Sequence, residues 1–348
     1  MELGVYSFGD VQKDPTTGEL GSTAQAMRNL VEAIRVADEV GLDYFGVGEH
    51  HTREMPASAA AVVLAGAATV TRSIRLGSSV TVLSTDDPVR VYQQFATVDA
   101  LSNGRAEITA GRGSSTESFP LFGYDLTDYD QLYSEKLDLL QLIDREDTVT
   151  WSGRFRPELK DALVVPRPEG GRLKMWLGTG GSPASSVRAG QRGLPVIYGI
   201  IGGNPASFGR LADAYRRSAT ASGMPQDEIR VGVANPGYLD SDGSLARKHW
   251  WTHWSTRMEQ ISRQRGFPMM SEEEYRRATS AGGALFVGHP EEVAGRIIDL
   301  HSHMGHSRHI LEMDYGHLPH ADFLRSIELL GTVVKPLVER EIGSAVAV

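Results

Sequence analysis

Cysteine is missing from all 348 residues. That excludes disulfides, thiolate metal sites and cysteine nucleophiles together, and it fits a reducing compartment. No stretch approaches the ~20 apolar residues of a membrane-spanning helix. The opening MELGVYSFGD lacks the basic start and apolar core of a secretory signal. Basic blocks are absent as well: 35 Lys and Arg stand against 44 Asp and Glu, a formal charge of −9. Neither a phosphate-tracking face for nucleic acid nor a polybasic patch for membrane lipid is expected. The G-x-G-x-x-G fingerprint and the Walker A loop do not occur. A cytoplasmic protein acting on small molecules is the expectation.

What is there is an ordinary globular composition, 41% hydrophobic and 23% charged, arranged as β-rich runs alternating with amphipathic segments. LGVYSF (3–8), DYFGVGEH (43–50), IRLGSSVTVL (74–83), RAEITAGRG (105–113), KMWLGTGG (174–181), LPVIYGII (194–201), IRVGVANPGYL (229–239) and HILEMDYG (309–316) read as eight strands. Between them, Met27, Leu30, Ile34 and Ala37 repeat at helical spacing after Ser22, and Gly41 ends that helix. An alanine-rich helix covers roughly 57–71; Asp87 and Pro88 open another that Ser102-Asn103-Gly104 closes. Further helices fall at about 129–144, on the face carrying Phe208, Leu211 and Tyr215, and on that carrying Phe323, Ile327 and Leu330. TVTWSGRF and VVPRP read as a small excursion before the fifth strand. Eight β–α alternations predict an α/β fold, a parallel (β/α)8 TIM barrel forming one domain over 1–348.

One stretch exceeds what a barrel needs. Residues 240–285 form an insertion between strands seven and eight, with Trp251, Trp254, Met258 and Ile261 on one helical face. An extra rim helix would explain it; a lid over the active-site face explains its length better.

In a barrel, all strand ends share one mouth. Glu49-His50-His51, Gly111-Arg112-Gly113-Ser114-Ser115, Gly178-Thr179-Gly180-Gly181-Ser182 and Gly202-Gly203-Asn204 end strands, and Ser78-Ser79 lies in the third. Two of these suit a phosphate. Ser182 and Pro183 open a helix whose N-terminus offers unpaired N–H groups, and Arg112 sits between glycines that let the backbone approach. Each alone is an ordinary βα loop; together they point to phosphate. The adjacent histidines argue against a shared metal, because successive strand side chains diverge. One imidazole as donor or base beside a phosphorylated cofactor is the remaining reading. The second histidine-rich run, HSHMGHSRH (301–309), reads as a solvated helix end.

These residues resemble the bacterial luciferase-like flavin-dependent oxidoreductases almost end to end, through GLDYFGVGEHH (41–51), the segment 74–113, PLFGYDL (120–126), VVPRP (164–168), MWLGTGGSPASSVRAGQRGLPVI (175–197) and ALFVGHPEEVAGRI (284–297). The resemblance implies a flavin-dependent monooxygenase that takes reduced FMN, oxygen and a small organic substrate. His50 would be the active-site histidine, with Glu49 and His51 beside it. Gly111, Arg112, Gly113, Gly180, Gly181, Ser182 and Ser185 would form the phosphate side of the cofactor site. Ser79 and Val80 fall where the family often carries a non-proline cis peptide against the flavin ring. Gly111 stands where luciferase has cysteine and Gly181 where it has glutamate, which argues against light emission on a long-chain aldehyde. The resemblance further implies a homodimer, and reduced flavin supplied by a separate flavin reductase or through NAD(P)H. A deazaflavin enzyme, a flavin-binding protein without turnover and a metal-dependent barrel hydrolase are the rival readings.

Overall fold

The computed structural model describes residues 1–13, 17–113, 116–266 and 269–346. Eight parallel strands close on themselves: β1 (Glu2–Ser7), β2 (Tyr44–Val47), β3 (Arg75–Ser78), β4 (Ala106–Gly111), β5 (Lys174–Thr179), β6 (Val196–Gly199), β7 (Val231–Leu239) and β8 (Arg308–Glu312). Each pairs with the next, and β8 pairs back onto β1 through Leu3 opposite His309 and Val5 opposite Leu311. The (β/α)8 barrel is therefore complete.

The helices form where local chemistry starts and stops them. Ser22 caps Thr23–Glu39, whose Leu30, Ile34 and Ala37 are buried, and Gly41 at φ +78° turns the chain back into β2. Asp87 accepts the Val89 and Arg90 N–H groups to open Pro88–Ser102, which Asn103 ends in the left-handed conformation. The excursion before β5 is an antiparallel hairpin, Thr148–Trp151 with Leu159–Leu163. The helix assigned to Phe208, Leu211 and Tyr215 begins only at Gly209; Phe208 lies in the 3-10 turn before it.

Strand pleating divides the core in two. Leu3, Val5, Phe45, Val47, Leu76 and their outward-facing counterparts pack under the helices. Tyr6, Tyr44, Trp176, Ile197, Ala234 and Ile310 fill the barrel interior, with Phe8 packed against them. Below them Arg308 donates to Glu107 at 2.6 Å and to Glu2 at 2.7 Å, while its guanidinium lies 4.4 Å from the ring centres of both Tyr44 and Trp176. This ion-paired plug closes the N-terminal end of the barrel, so free volume collects at the C-terminal ends of the strands, where TIM barrels hold their active sites.

The insertion consists of the helices Gly243–Arg265 and Glu272–Ala278, followed by a short strand, Phe286–Gly288, beside β7. Its aromatic face differs from the expected one. Trp250 and Trp254 are the buried pair, stacked at 5.0 Å, and both pack on Tyr315 just past β8, at 5.4 and 4.9 Å. Trp251 is half-buried beside Tyr275. Gly316 lets the helix settle, since a Cβ there would strike the His253 carbonyl. The long helix thus lies against the segment that follows β8.

The run 301–309 also corrects the expectation. His301 is half-buried and His303 exposed, but His306 and His309 are fully enclosed, His306 Nε2 lying 3.2 Å from His309 Nδ1. The helix end is where it was expected, at Met304, but the residues after it lead into β8 and bury His306 and His309 instead of leaving them in solvent. No helix among the described residues is long and apolar enough to cross a membrane.

Candidate active site

A cavity of about 410 Å³ opens at the C-terminal ends of the strands. Of the residues singled out from sequence, Glu49, His50, His51, Ser79, Val80, Gly111, Arg112, Gly113, Gly178, Thr179 and Gly180 line it, whereas Gly181, Ser182 and Ser185 do not. Ser114 and Ser115 fall outside the described residues.

The two histidines are held apart, as strand alternation requires. His50 Nδ1 meets Glu117 Oε1 at 2.5 Å, and the Phe8 ring packs edge-on against the imidazole at 4.6 Å. Burial alone would raise the Glu117 carboxyl. The His50 hydrogen bond, backbone donors and the His50 charge outweigh it and hold the pKa at about 2. Glu117 is therefore an ionised carboxylate across the working range. His51 instead pairs through Nε2 with Glu49 Oε1 at 3.0 Å and packs on Phe122. The other Glu49 oxygen accepts the Val82 N–H at 2.9 Å, so Glu49 and His51 brace the end of β2 against the strand beyond β3.

The stretch expected as one third strand is interrupted. β3 ends at Ser78, the Ser79–Val80 peptide is cis, and Thr81–Val82 then pairs with β4. The Val80 side chain rests on two glycines: a Cβ on Gly111 would collide with it, and one on Gly178 would come within 2.8 Å. A glycine floor under a valine gives the cavity a flat, apolar shelf at the junction of β3, β4 and β5.

The phosphate-side residues have definite partners. Arg112 contacts Asp130 through Nη1 at 2.7 Å and lies over the Tyr129 ring at 5.5 Å; the Tyr129 hydroxyl donates to the Gly113 carbonyl at 2.6 Å. Asp130 is largely exposed, so it is a weak competitor for the guanidinium. Ser182 caps the helix Pro183–Gln191, accepting the Ser185 N–H at 3.1 Å and donating to the Ser185 hydroxyl at 2.8 Å. Its hydroxyl is thus occupied, and the open side of this corner is backbone: nothing lies within 4 Å of where a Gly180 Cβ would be. Gly181 takes φ +94°, and a Cβ there would strike Phe208, a physical reason for glycine where luciferase has glutamate.

Several lining residues escaped the sequence reading. Glu117, 67 positions from His50, carries no local signal. Tyr6 and Phe8 read as strand residues. Arg257, within the insertion helix, is buried and lines the cavity, with Nη1 3.8 Å from Asp10. Glu312 ends β8 against the hydroxyls of Tyr6 and Tyr315. Burial, reinforced by Asp314 and Asp10 against the opposing charge of Arg257, pushes its carboxyl up to about 8. Asp314 rises to about 7 through burial and the nearby Asp10. The only signal for this cluster was the acidic character of EMDYG at a strand end.

The luciferase-like monooxygenase family model matches residues 1–307. An N-acetyl-S-alkylcysteine monooxygenase of Bacillus subtilis is 29% identical over 236 residues, covering 67% of both chains. An F420-dependent glucose-6-phosphate dehydrogenase of Amycolatopsis mediterranei is 26% identical over 243 residues, covering 67% of this chain and 72% of the other. The oxygenating constituent of 3,6-diketocamphane monooxygenase from Pseudomonas putida, a type II Baeyer–Villiger enzyme solved with FMN, superposes with a TM-score of 0.77 at 17% identity, covering 97% of this chain and 98% of that one. With a closed barrel, a cavity at its strand ends and a family match over most of its length, the chain belongs to the luciferase-like monooxygenase family of flavin-dependent oxidoreductases.

Proposed function

We propose that this chain is a monooxygenase using reduced FMN and oxygen on a small organic substrate. The shelf made by Val80 over Gly111 and Gly178 carries the reading. It offers a planar ring an apolar face, and at its side lie Arg112, the open Gly180 backbone and the helix that Ser182 caps. That pairing of a flat apolar surface with a donor-rich corner fits an isoalloxazine and its phosphate. The FMN bound in the Pseudomonas structure supports the choice of cofactor.

Arg112 and the helix N-terminus would hold the phosphate, and Val80 would back the ring. Bound and reduced, FMN would supply the electrons that activate oxygen. His50 is the proton-handling group in this reading. Glu117 fixes its Nδ1 and Phe8 its ring plane, which leaves Nε2 as the nitrogen for exchange with substrate. The insertion helix, seated on Tyr315 and reaching the cavity with Arg257 and Ile261, would act as the lid that keeps water out.

A second reading, hydride transfer with a deazaflavin, is favoured by the F420-dependent relative. The experiment that separates them supplies the protein with reduced FMN and isotopically heavy dioxygen over a panel of small ketones, thioethers and amines. Label should enter one product, only when both FMN and oxygen are present. Conversion without oxygen on a reduced deazaflavin would overturn the monooxygenase reading.

A further inference from the structure

Arg257 is the least satisfied charged group in the cavity. Its side chain is 7% exposed, yet among the described residues its guanidinium finds no oxygen at hydrogen-bond distance. Asp10 stands 3.8 Å from Nη1, Nη2 abuts the Met55 sulfur, and Nε has no partner. Buried donors in native proteins are almost always paired, and an Nε–H without a protein partner in a cavity wall is free to meet an acceptor that enters the cavity. Glu312 lines the same cavity. Burial pushes its carboxyl up to about 8, toward the protonated form that can donate, and the Tyr6 and Tyr315 hydroxyls lie against it. The phosphate corner at Arg112 and the His50–Glu117 pair use neither residue.

The surrounding charge selects the ligand. Asp10 already serves as counter-ion to Arg257, and Glu312 and Asp314 crowd the same space. A ligand carboxylate would bring negative charge beside Asp10, which already balances Arg257, and beside Asp314, whereas a neutral oxygen acceptor takes the unpaired Arg257 Nε–H without disturbing that balance. We propose that Arg257 and Glu312 form a donor subsite of the substrate cavity that holds the carbonyl oxygen of a neutral carbonyl compound. The inference rests on the monooxygenase reading only in calling the cavity the substrate site.

Ligand-observed NMR on the full chain, with and without FMN, tests it with three probes: cyclohexanone, methylenecyclohexane and cyclohexanecarboxylate. Cyclohexanone should bind about tenfold more tightly than the hydrocarbon, the scale of one charge-assisted hydrogen bond, and more tightly than the carboxylate. Arg257→Met should erase the preference, and Glu312→Gln, which keeps a donor, should retain most of it. Equal binding of ketone and hydrocarbon, tightest binding of the carboxylate, or a preference that survives Arg257→Met would each overturn the proposal. The probe ranking on the unmodified chain decides the matter even where a variant does not fold. FMN binding is followed in the same samples by flavin fluorescence. Loss of FMN with an intact ketone preference would count against the flavin reading alone; FMN binding without that preference would count against the subsite alone.

Discussion

Replacing both buried histidines, His306→Leu with His309→Leu, should change how stability depends on pH. Burial holds His306 well below the ordinary imidazole range, and burial with the Arg296 charge takes His309 from 6.5 to about 3. The native state therefore binds fewer protons than the unfolded chain below pH 6.5, and stability contributed by the pair is lost as pH falls through that value. For a histidine that stays neutral in the fold the cost approaches RT ln(1 + 10^(6.5 − pH)), on the order of 1 kcal/mol at pH 5.5 and negligible at pH 7.5. The wild type should therefore lose on the order of 2–3 kcal/mol relative to the double variant between those two conditions. Glu312 and Asp314 act in the opposite sense. Their raised carboxyls bind protons in the folded state that the unfolded chain has released, so their contribution grows as pH falls through 8 and 7. The wild-type profile alone is thus flattened by cancellation, and the difference between the two proteins is the informative quantity. Leucine removes both partners of the 3.2 Å contact together, leaving no polar atom stranded. Urea unfolding at pH 7.5 and 5.5 gives the four free energies. Parallel behaviour of the two proteins would refute buried, neutral histidines.

Two further substitutions probe the cavity. Gly111→Ala pushes a methyl into Val80, and FMN affinity should fall at least tenfold by fluorescence titration while far-ultraviolet circular dichroism stays unchanged; unaltered affinity would mean the shelf does not support the ring. Glu117→Gln keeps an acceptor for His50 but removes the charge, so turnover should drop roughly 10- to 100-fold, the scale of a charge-assisted hydrogen bond, with FMN binding intact. Equal turnover in the variant would remove Glu117 from the account.

Local periodicity made the scaffold legible. Strand composition, Asp87 with Pro88 and the left-handed Asn103 each announce an element within a few residues of its observed bounds. The insertion was legible from its length. Its buried face was not, because 250, 254 and 257 fit helical spacing as well as 251, 254 and 258 do, and only Tyr315 beneath the helix decides between them. The strand end at Glu312 was overrun for a related reason: Asp314, Tyr315 and Gly316 look extended in sequence but turn to meet the helix. Glu117, Arg257 and Glu312 reach the site across 67, 207 and 262 positions from His50, and no spacing rule covers contacts made by chain closure. The histidines at 306 and 309 failed as a reading because polarity predicts exposure only when the backbone is not heading into a buried strand.

The measurement closest to the central claim is the affinity of the purified chain for FMN, riboflavin and a deazaflavin, repeated with Arg112→Ala. The account predicts FMN bound more tightly than riboflavin, with the arginine substitution weakening FMN by about 1.5–3 kcal/mol and riboflavin hardly at all. Equal weakening of both, or tighter binding of deazaflavin than of FMN, would contradict it.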